Sequence, residues 1–420
     1  MTQTRSRSNR IPPEERYAQI LRCATDLFAE KGFIPTTMDD VAERANITKR
    51  TLYRYVKSKD DLLFAIHDTF SGYAWVTQTE HHLEEPDAAL RRAYDQHVRI
   101  VCSHLTEIGV FFDERKHLSP ENASHVEARR GAWQGHVESI VAEGVRTGTF
   151  VDLPVRPVVQ LTLGAMTEMY RWYRPDGPRT PDELAQDYEQ LFMNGVSTAD
   201  HRNLDVGASS PPQDRKHYQA AESENRDRVL DAAVATFARF GFHATSMQDL
   251  AEEAQVTKGA VMYHAGLKNA LLADVHIRTF KHGLTTLETV LDDLPAGAGS
   301  FVTLHAMIAA HFAFLAADRD AVIVINDNLR YLKGKDLRKI LRLREKWVSM
   351  FADVVEDGYR TEQFKGVEEA FFLRVLVGML NSAARWYQPG GRLSTNELAD
   401  IAMRVLMFGI SSPDAAHGVD

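Results

Sequence analysis

Residues 20–63 of this chain lie over residues 229–272 at a constant offset of 209, without a gap. Identities fall at Leu21, Ala24, Phe28, Ala29, Gly32, Phe33, Thr36, Met38, Asp40, Ala42, Glu43, Ala45, Thr48, Lys49, Lys59, Leu62 and Leu63. A second block repeats at an offset of 214: "GAMTEMYRWYRPDG" at 164–177 answers "GMLNSAARWYQPGG" at 378–391. At that same offset Trp133, Gly144 and Phe150 meet Trp347, Gly358 and Phe364. A repeat of this length constrains the architecture more than any motif does, because both copies must adopt the same fold. At 420 residues the chain also exceeds what one core ordinarily holds.

Within a copy the pattern is helical throughout. "ILRCATDLFAEKG" carries apolar residues at Ile20, Leu21, Ala24, Leu27 and Phe28, the stripe of one helix face, and stops at Gly32. Thr37 with Asp40, and Ser246 with Asp249, have the spacing of a capping box that opens a short helix. Later, Pro175 and Gly177 end one helix, and Thr180 with Pro181 starts the next. No alternating apolar run flanked by hairpin turns appears, so the expected fold class is all-α. The stretch between the copies is polar, with Gly, Ser and a Pro pair, and reads as a linker over 198–224.

Composition narrows the function classes. The formal net charge is −9, which argues against a chain that coats nucleic acid non-specifically. Charge is unevenly placed: residues 1–66 carry 12 Lys/Arg and 9 Asp/Glu (+3), whereas 215–275 carry 7 and 8 (−1). The basic first segment suggests an anionic partner there. Cys23 and Cys102 are far apart and lack CxxC spacing, so neither a disulfide framework nor a structural metal is expected. The basic N-terminus is not followed by an apolar run of signal type, and no stretch reads as a membrane span, so a cytoplasmic protein is expected. No nucleophile elbow, metalloprotease helix, phosphate-binding glycine loop or dinucleotide fingerprint is present, and the histidines lack ligand spacing; no enzyme activity or cofactor is expected.

The segment "ITKRTLYRYVKSKDDLL" at 47–63 interleaves cations and aromatics on a short helix, and a paler copy, "VTKGAVMYHAGLKNALL", returns at 256–272. So short a helix must be braced by neighbours. "TTMDDVAERA" precedes it across a turn at Asn46–Ile47, and Thr48 caps it, which makes a helix-turn-helix. The second helix of such a pair enters the major groove. Lys49 and Arg50 then face base edges, while Tyr53, Tyr55 and Lys59 sit where phosphates flank the groove.

The stretch "ILRCATDLFAEKGFIPTTMDDVAERANITKRTLYRYVKSKDDLL" closely resembles the DNA-binding domain of TetR-family transcriptional regulators. The resemblance covers residues 16–70 and, in the second copy, 225–280. It implies a three-helix DNA-binding domain followed by a helical ligand-binding and dimerisation bundle, with no enzymatic activity. It further implies that Thr36 and Thr37 touch phosphates, that Thr48, Lys49, Arg50, Thr51, Tyr53, Arg54 and Tyr55 form the recognition surface, and that Lys59 holds the DNA backbone. In the second copy Thr245, Ser246, Thr257, Lys258, Tyr263, His264 and Lys268 stand at the matching contact positions. That copy departs where Gly259 replaces Arg50, Met262 replaces Tyr53, and Leu267 replaces the Ser58 cap. Fewer cations release fewer counterions, so the second reading head is expected to be weaker.

The organisation that follows is a basic arm (1–15), a first DNA-binding domain (16–70), a first ligand-binding bundle (71–197), the linker, a second DNA-binding domain (225–280), a second bundle (281–411) and a tail (412–420). The "RWYxPxG" signature resembles that of a branch of the family whose members often sense acyl-CoA thioesters. A pocket is expected from inner-facing Phe112, Met166 and Met169, or Met307, Phe314 and Met379, while Trp172 and Trp386 read as bundle-closing aromatics. Arg330, Arg338 and Arg344 are candidates to meet an anionic ligand. The expected partners are a double-stranded DNA operator and a small-molecule effector. The two halves are expected to pair within one chain, helices 158–174 and 181–196 against 372–388 and 395–410, in preference to a homodimer. The alternative from another class is a sensor or protein-interaction module that has lost operator binding.

Overall fold

The structure, a computed structural model, describes residues 11–76, 85–195 and 224–409. The linker apart from Glu224, the tail and most of the N-terminal arm lie outside the described residues. Among those described there is no strand, only single bridge residues at Phe150 and Phe364. The first copy contains α1 (Pro13–Lys31), α2 (Met38–Arg44), α3 (Lys49–Leu52), α4 (Lys59–Val76), α5 (Pro86–Ser103), α6 (Leu105–Glu114), α7 (Pro120–Thr147), α8 (Val155–Thr167) and α9 (Pro181–Asn194). The second repeats the order with α10 (Glu224–Phe240), α11 (Met247–Glu253), α12 (Lys258–Ala265), α13 (Lys268–Asp293), α14 (Ser300–Ala317), α15 (Arg319–Asn328), α16 (Gly334–Arg360), α17 (Glu369–Ala383) and α18 (Thr395–Phe408). Helix α1 starts at Pro13, so it takes the last residues of the expected arm; proline at the first turn gives up no hydrogen bond.

Packing divides the chain into two compact units. The first comprises Met1–Val76 and His104–Arg130, so the expected boundary at residue 70 does not mark a packing boundary. The reason is α6, which lays Val110 into the core formed by Ile20, Leu27 and Phe28 of α1, Val41 of α2, Leu52 of α3 and Leu62, Leu63 and Ile66 of α4. The second unit comprises Thr77–Ser103 and Gly131–Asp420. In it α10–α13 repeat the same core, with Val229, Phe237, Leu250, Val261 and Leu271 covered by Val324 of α15. Helix α14 is apolar enough to cross a membrane by length and composition, contrary to the expectation that no stretch is. Its neighbours α13, α16 and α18 explain the composition: the helix is the buried centre of a bundle, and 67% of it is covered.

Also within the second unit, α8 packs along α17 and α9 against α18. These are the equivalent helices of the two copies, and their contacts are reciprocal. A Cβ on Gly164 would overlap the Ser382 side chain, while one on Gly378 would lie 3.3 Å from Glu168 Cβ; positions 168 and 382 are equivalent at the 214 offset. Gly195 lies against the backbone of Met407, and Gly409 against that of Met193, again an equivalent pair. Residue i meeting j while j's counterpart meets i's is the signature of an isologous two-fold contact. The glycines permit it because no side chain holds the backbones apart, and Gly195 and Gly409 also adopt positive φ (70° and 65°).

Candidate nucleic-acid interface and effector cleft

In the first unit Thr37 caps α2. Its hydroxyl accepts from the Asp40 N–H at 3.1 Å, and the Asp40 carboxylate accepts from the Thr37 N–H at 2.7 Å. The Thr37 hydroxyl and N–H, followed by Lys31, pull the Asp40 pKa down to about 2. The chain then turns at Asn46, whose φ of 51° is left-handed and suits Asn better than most residues. The Ile47 N–H donates back to Ala42 O at 2.9 Å. Thr48 caps α3, accepting from the Thr51 N–H at 3.2 Å.

Helix α3 is a single turn, Lys49–Leu52. Beyond Leu52 the bonds tighten: Arg54 N donates to Thr51 O and Tyr55 N to Leu52 O. That tightening separates the two aromatics. Tyr53 stands 47% exposed, whereas Tyr55 packs half-buried on the core beside fully buried Leu52. Lys49, Arg50 and Arg54 are exposed. Lys49 Nζ meets Asp39 Oδ2 of α2 at 2.9 Å, and that bond raises the Lys49 pKa. Arg50 and Arg54 form no ion pair among the described residues, and they form the cationic edge of this surface.

Two expected phosphate contacts are corrected here. Thr36 is 1% exposed and its hydroxyl donates inward to Gly32 O at 2.7 Å, so it offers nothing to a ligand. Lys59 donates to Phe33 O, Ile34 O and Thr36 O at 2.7, 3.1 and 2.8 Å, with its ammonium 4.4 Å from the Phe33 ring centre. Its three hydrogens are thereby used, and burial holds its pKa below the ordinary lysine value. The second copy does the same. Thr245 is buried and donates to Gly241 O, and Lys268 donates to Phe242 O, His243 O and Thr245 O. Both threonine–lysine pairs fasten the loop between the first two helices of each head.

The second head keeps the frame and loses the charge. Ser246 and Asp249 form the capping box, Gln255 repeats the left-handed turn (φ 54°), and Thr257 caps α12. Lys258 is exposed, but Met262 and Tyr263 are 52% and 86% exposed where the first head has Tyr53 and Arg54. The His264 side chain lies outside the described residues. Leu267 opens α13 with no side-chain cap and is 76% exposed. In the first copy the Ser58 hydroxyl accepts from Asp61 N at 3.0 Å at that position.

A narrow cleft with about 60 Å³ of free space, open to solvent at its mouth, lies in the second unit between α13, α14, α15, α16 and α17. Its walls include Phe314, Trp347 and Val322, and its polar groups are His311, Asn326, Asn381 and Arg344, joined by Arg171 of the first copy. Of the residues expected to line a pocket only Phe314 does so. Met166, Met169, Met307 and Met379 are fully buried packing residues, and Phe112 stands edge-on to Phe111 in the first unit. Arg344 lines the cleft, Arg330 donates to the Tyr331 hydroxyl, and Arg338 is exposed. Trp172 lies 5.0 Å under the Arg374 guanidinium of the other half, consistent with a bundle-closing role.

Beside the cleft, Glu168 is 2% exposed and ion-paired to both Arg171 (2.8 Å) and Arg385. Burial alone would raise its pKa, but the charges of Arg385 and Arg171 outweigh it and hold the acid ionised. Arg171 and Arg385 are equivalent at the 214 offset, whereas Glu168 is matched by Ser382. One carboxylate therefore serves two arginines. Sequence reading missed Arg171, His311 and the two asparagines; the identity of His97 with His311 at the repeat offset was the available signal.

Both halves match known proteins. Residues 20–66 and 229–275 match the model for bacterial regulatory proteins of the tetR family, and residues 83–196 and 303–410 match a tetracyclin repressor-like C-terminal domain. The HTH-type transcriptional repressor KstR2 of Rhodococcus jostii (strain RHA1) is 28% identical over 218 residues, which span 48% of this chain and 98% of the relative. The fatty acid metabolism regulator protein of Bacillus subtilis (strain 168) is 22% identical over 186 residues, spanning 44% of this chain and 94% of the relative. Among solved structures, the TetR-family regulator PfmR of Thermus thermophilus is 25% identical with a TM-score of 0.40, covering 43% of this chain and 97% of its own. Each relative is matched nearly whole by less than half of this chain.

Proposed function

The chain belongs to the tetR family of bacterial regulatory proteins in both of its halves, and we propose that it is a ligand-responsive transcriptional repressor that acts in the cytoplasm. The carrying observation is the first head: Lys49, Arg50 and Arg54 are exposed on a capped turn that Asn46 holds out from the core. On this reading Lys49 leaves Asp39 to meet a base edge beside Arg50. Thr37, Thr48, Thr51, Tyr53, Arg54 and Tyr55 set the register on phosphates. Ser246, Thr257, Lys258, Tyr263 and His264 add a weaker second contact, and Thr36, Lys59, Thr245 and Lys268 act by positioning the loops. The effector is a small apolar or acyl-CoA-type anion that binds the cleft, where apolar walls end at Arg171 and Arg344. A band-shift assay on genomic fragments tests the regulator: no salt-sensitive shift with any fragment refutes operator binding and leaves the rival, a sensor whose heads are vestigial.

The molecule is a pseudo-dimeric monomer. Supporting this are the reciprocal glycine contacts and the single Glu168 between Arg171 and Arg385. Pairing two second copies would set two buried arginines against Ser382 with no carboxylate, and an unpaired buried charge is strongly unfavourable. Pairing a first copy with a second avoids that, and the linker brings them together at high effective concentration.

A further inference from the structure

The duplicated halves place one equivalent histidine in different surroundings. His97 and His311 are equivalent at the 214 offset, as are their neighbours Trp133 and Trp347, but Thr167 is matched by Asn381. His97 is closed on both sides: its Nδ1 accepts from Trp133 Nε1 at 3.3 Å, and its Nε2 bonds the Thr167 hydroxyl at 2.9 Å. His311 has neither bond. Its ring is tilted 59° from that of Trp347, its two nitrogens meet no hydrogen-bond partner among the described residues, and the residue is 5% exposed on the wall of the cleft. A buried imidazole with both nitrogens unsatisfied is costly unless something polar occupies the space it faces.

The residues around it carry the same contrast. Thr279, Gly283 and Asn326 line the cleft, and at the repeat offsets the first copy has Phe70, Ala74 and Phe112 in their places. The first copy's residues at these three positions are larger and apolar, and side chains of that volume written into the second half would fill the cleft. Arg171 adds a charge from the first copy to a cleft built otherwise from the second.

We propose that the chain holds one effector site, not two. The site lies in the second half, takes an apolar anion, and is completed by Arg171 of the first half. The halves thus divide the work: the first supplies the stronger reading head, the second the sensor. Arg171 joins them, because its Nε binds Glu168 while its Nη1 donates to Asn326 O at 3.2 Å on the cleft wall. This rests on the effector reading given above.

Isothermal titration of the full-length protein with decanoyl-coenzyme A tests it. One molecule per chain is expected. Thr279→Phe with Asn326→Phe, which writes the first half's side chains into the second, should abolish the heat. Arg171→Gln should weaken affinity about tenfold or more, as for loss of a charged hydrogen bond. Two molecules per chain, or saturable binding that survives the double variant, overturns the single site and leaves the regulator standing. No binding to the unaltered protein overturns the single site together with the effector reading. Thermal melts establish folding, and if the double variant melts early, Asn381→Thr, which writes Thr167 into the second half, carries the same comparison at a half-buried position.

Discussion

Lys59 and Lys268 show how little residue type says about role. Each is a cation in a DNA-binding head, and each spends its three hydrogens on backbone carbonyls of its own loop. Lys59→Met should therefore lower folding stability by about 1–3 kcal/mol, the cost of leaving half-buried acceptors without a donor. Denaturant melts measure this, and an unchanged midpoint would remove the fastening role. His67 makes a second residue-scale case, since it is fully buried in α4 beside Phe111 and its counterpart His276 is buried in α13. Burial, then the Arg115 charge, push the His67 pKa down to about 3, and burial takes His276 to about 4. The unfolded chain binds its protons near pH 6.5, so the stability of the neutral forms is complete above that pH. It is lost as pH falls through 6.5 toward 3. His67→Leu should flatten the acid side of the stability–pH curve between 6.5 and 4, and a curve parallel to wild type would contradict the assignment.

Among the elements, α3 and α12 share a cap, a preceding left-handed turn and a buried apolar residue, yet present different chemistry. Lys49→Ala with Arg50→Ala should remove most specific operator binding, each good base contact being worth about 1–3 kcal/mol. Lys258→Ala should cost less, and equal losses in a band-shift titration would end the idea of a dominant first head. The helix that follows offers a stability test without DNA. Leu267→Ser restores at α13 the cap that Ser58 gives α4, and should add about 1 kcal/mol. A melt that does not rise would mean that the exposed Leu267 has a packing role.

For the whole molecule the decisive contact is the one between equivalent helices, α8 with α17 and α9 with α18. Light scattering should give a mass near 47.3 kDa, alone and bound to operator with the DNA mass subtracted. Twice that value at low concentration would replace the pseudo-dimeric monomer with a four-headed dimer. Glu168→Ala should destabilise the protein by about 3–5 kcal/mol, because it leaves Arg385 buried without its counter-charge. A truncation that removes only residues 1–66 is a poor test of the sensor, since it strips the covering from Val110 of α6.

The repeat, the all-helical pattern, the capping boxes at Thr37 and Ser246 and the helix start at Thr180 are local facts, written in residue spacing, and the sequence determined them unaided. So was the loss of polar groups from the second head, because an exposed Met262 or Leu267 in place of a polar residue is a matter of composition at a known register. The fate of each polar group was not so determined. Whether Thr36 faces solvent or Gly32 O depends on how the loop folds back. Whether Lys59 meets a phosphate or three carbonyls depends on the geometry of a turn twenty-three residues earlier at Thr36. The cleft was least legible, since its polar groups come from several helices of one half and from Arg171 of the other. Periodicity marks which face of a helix is buried; only packing decides whether that face meets another side chain or an open cleft.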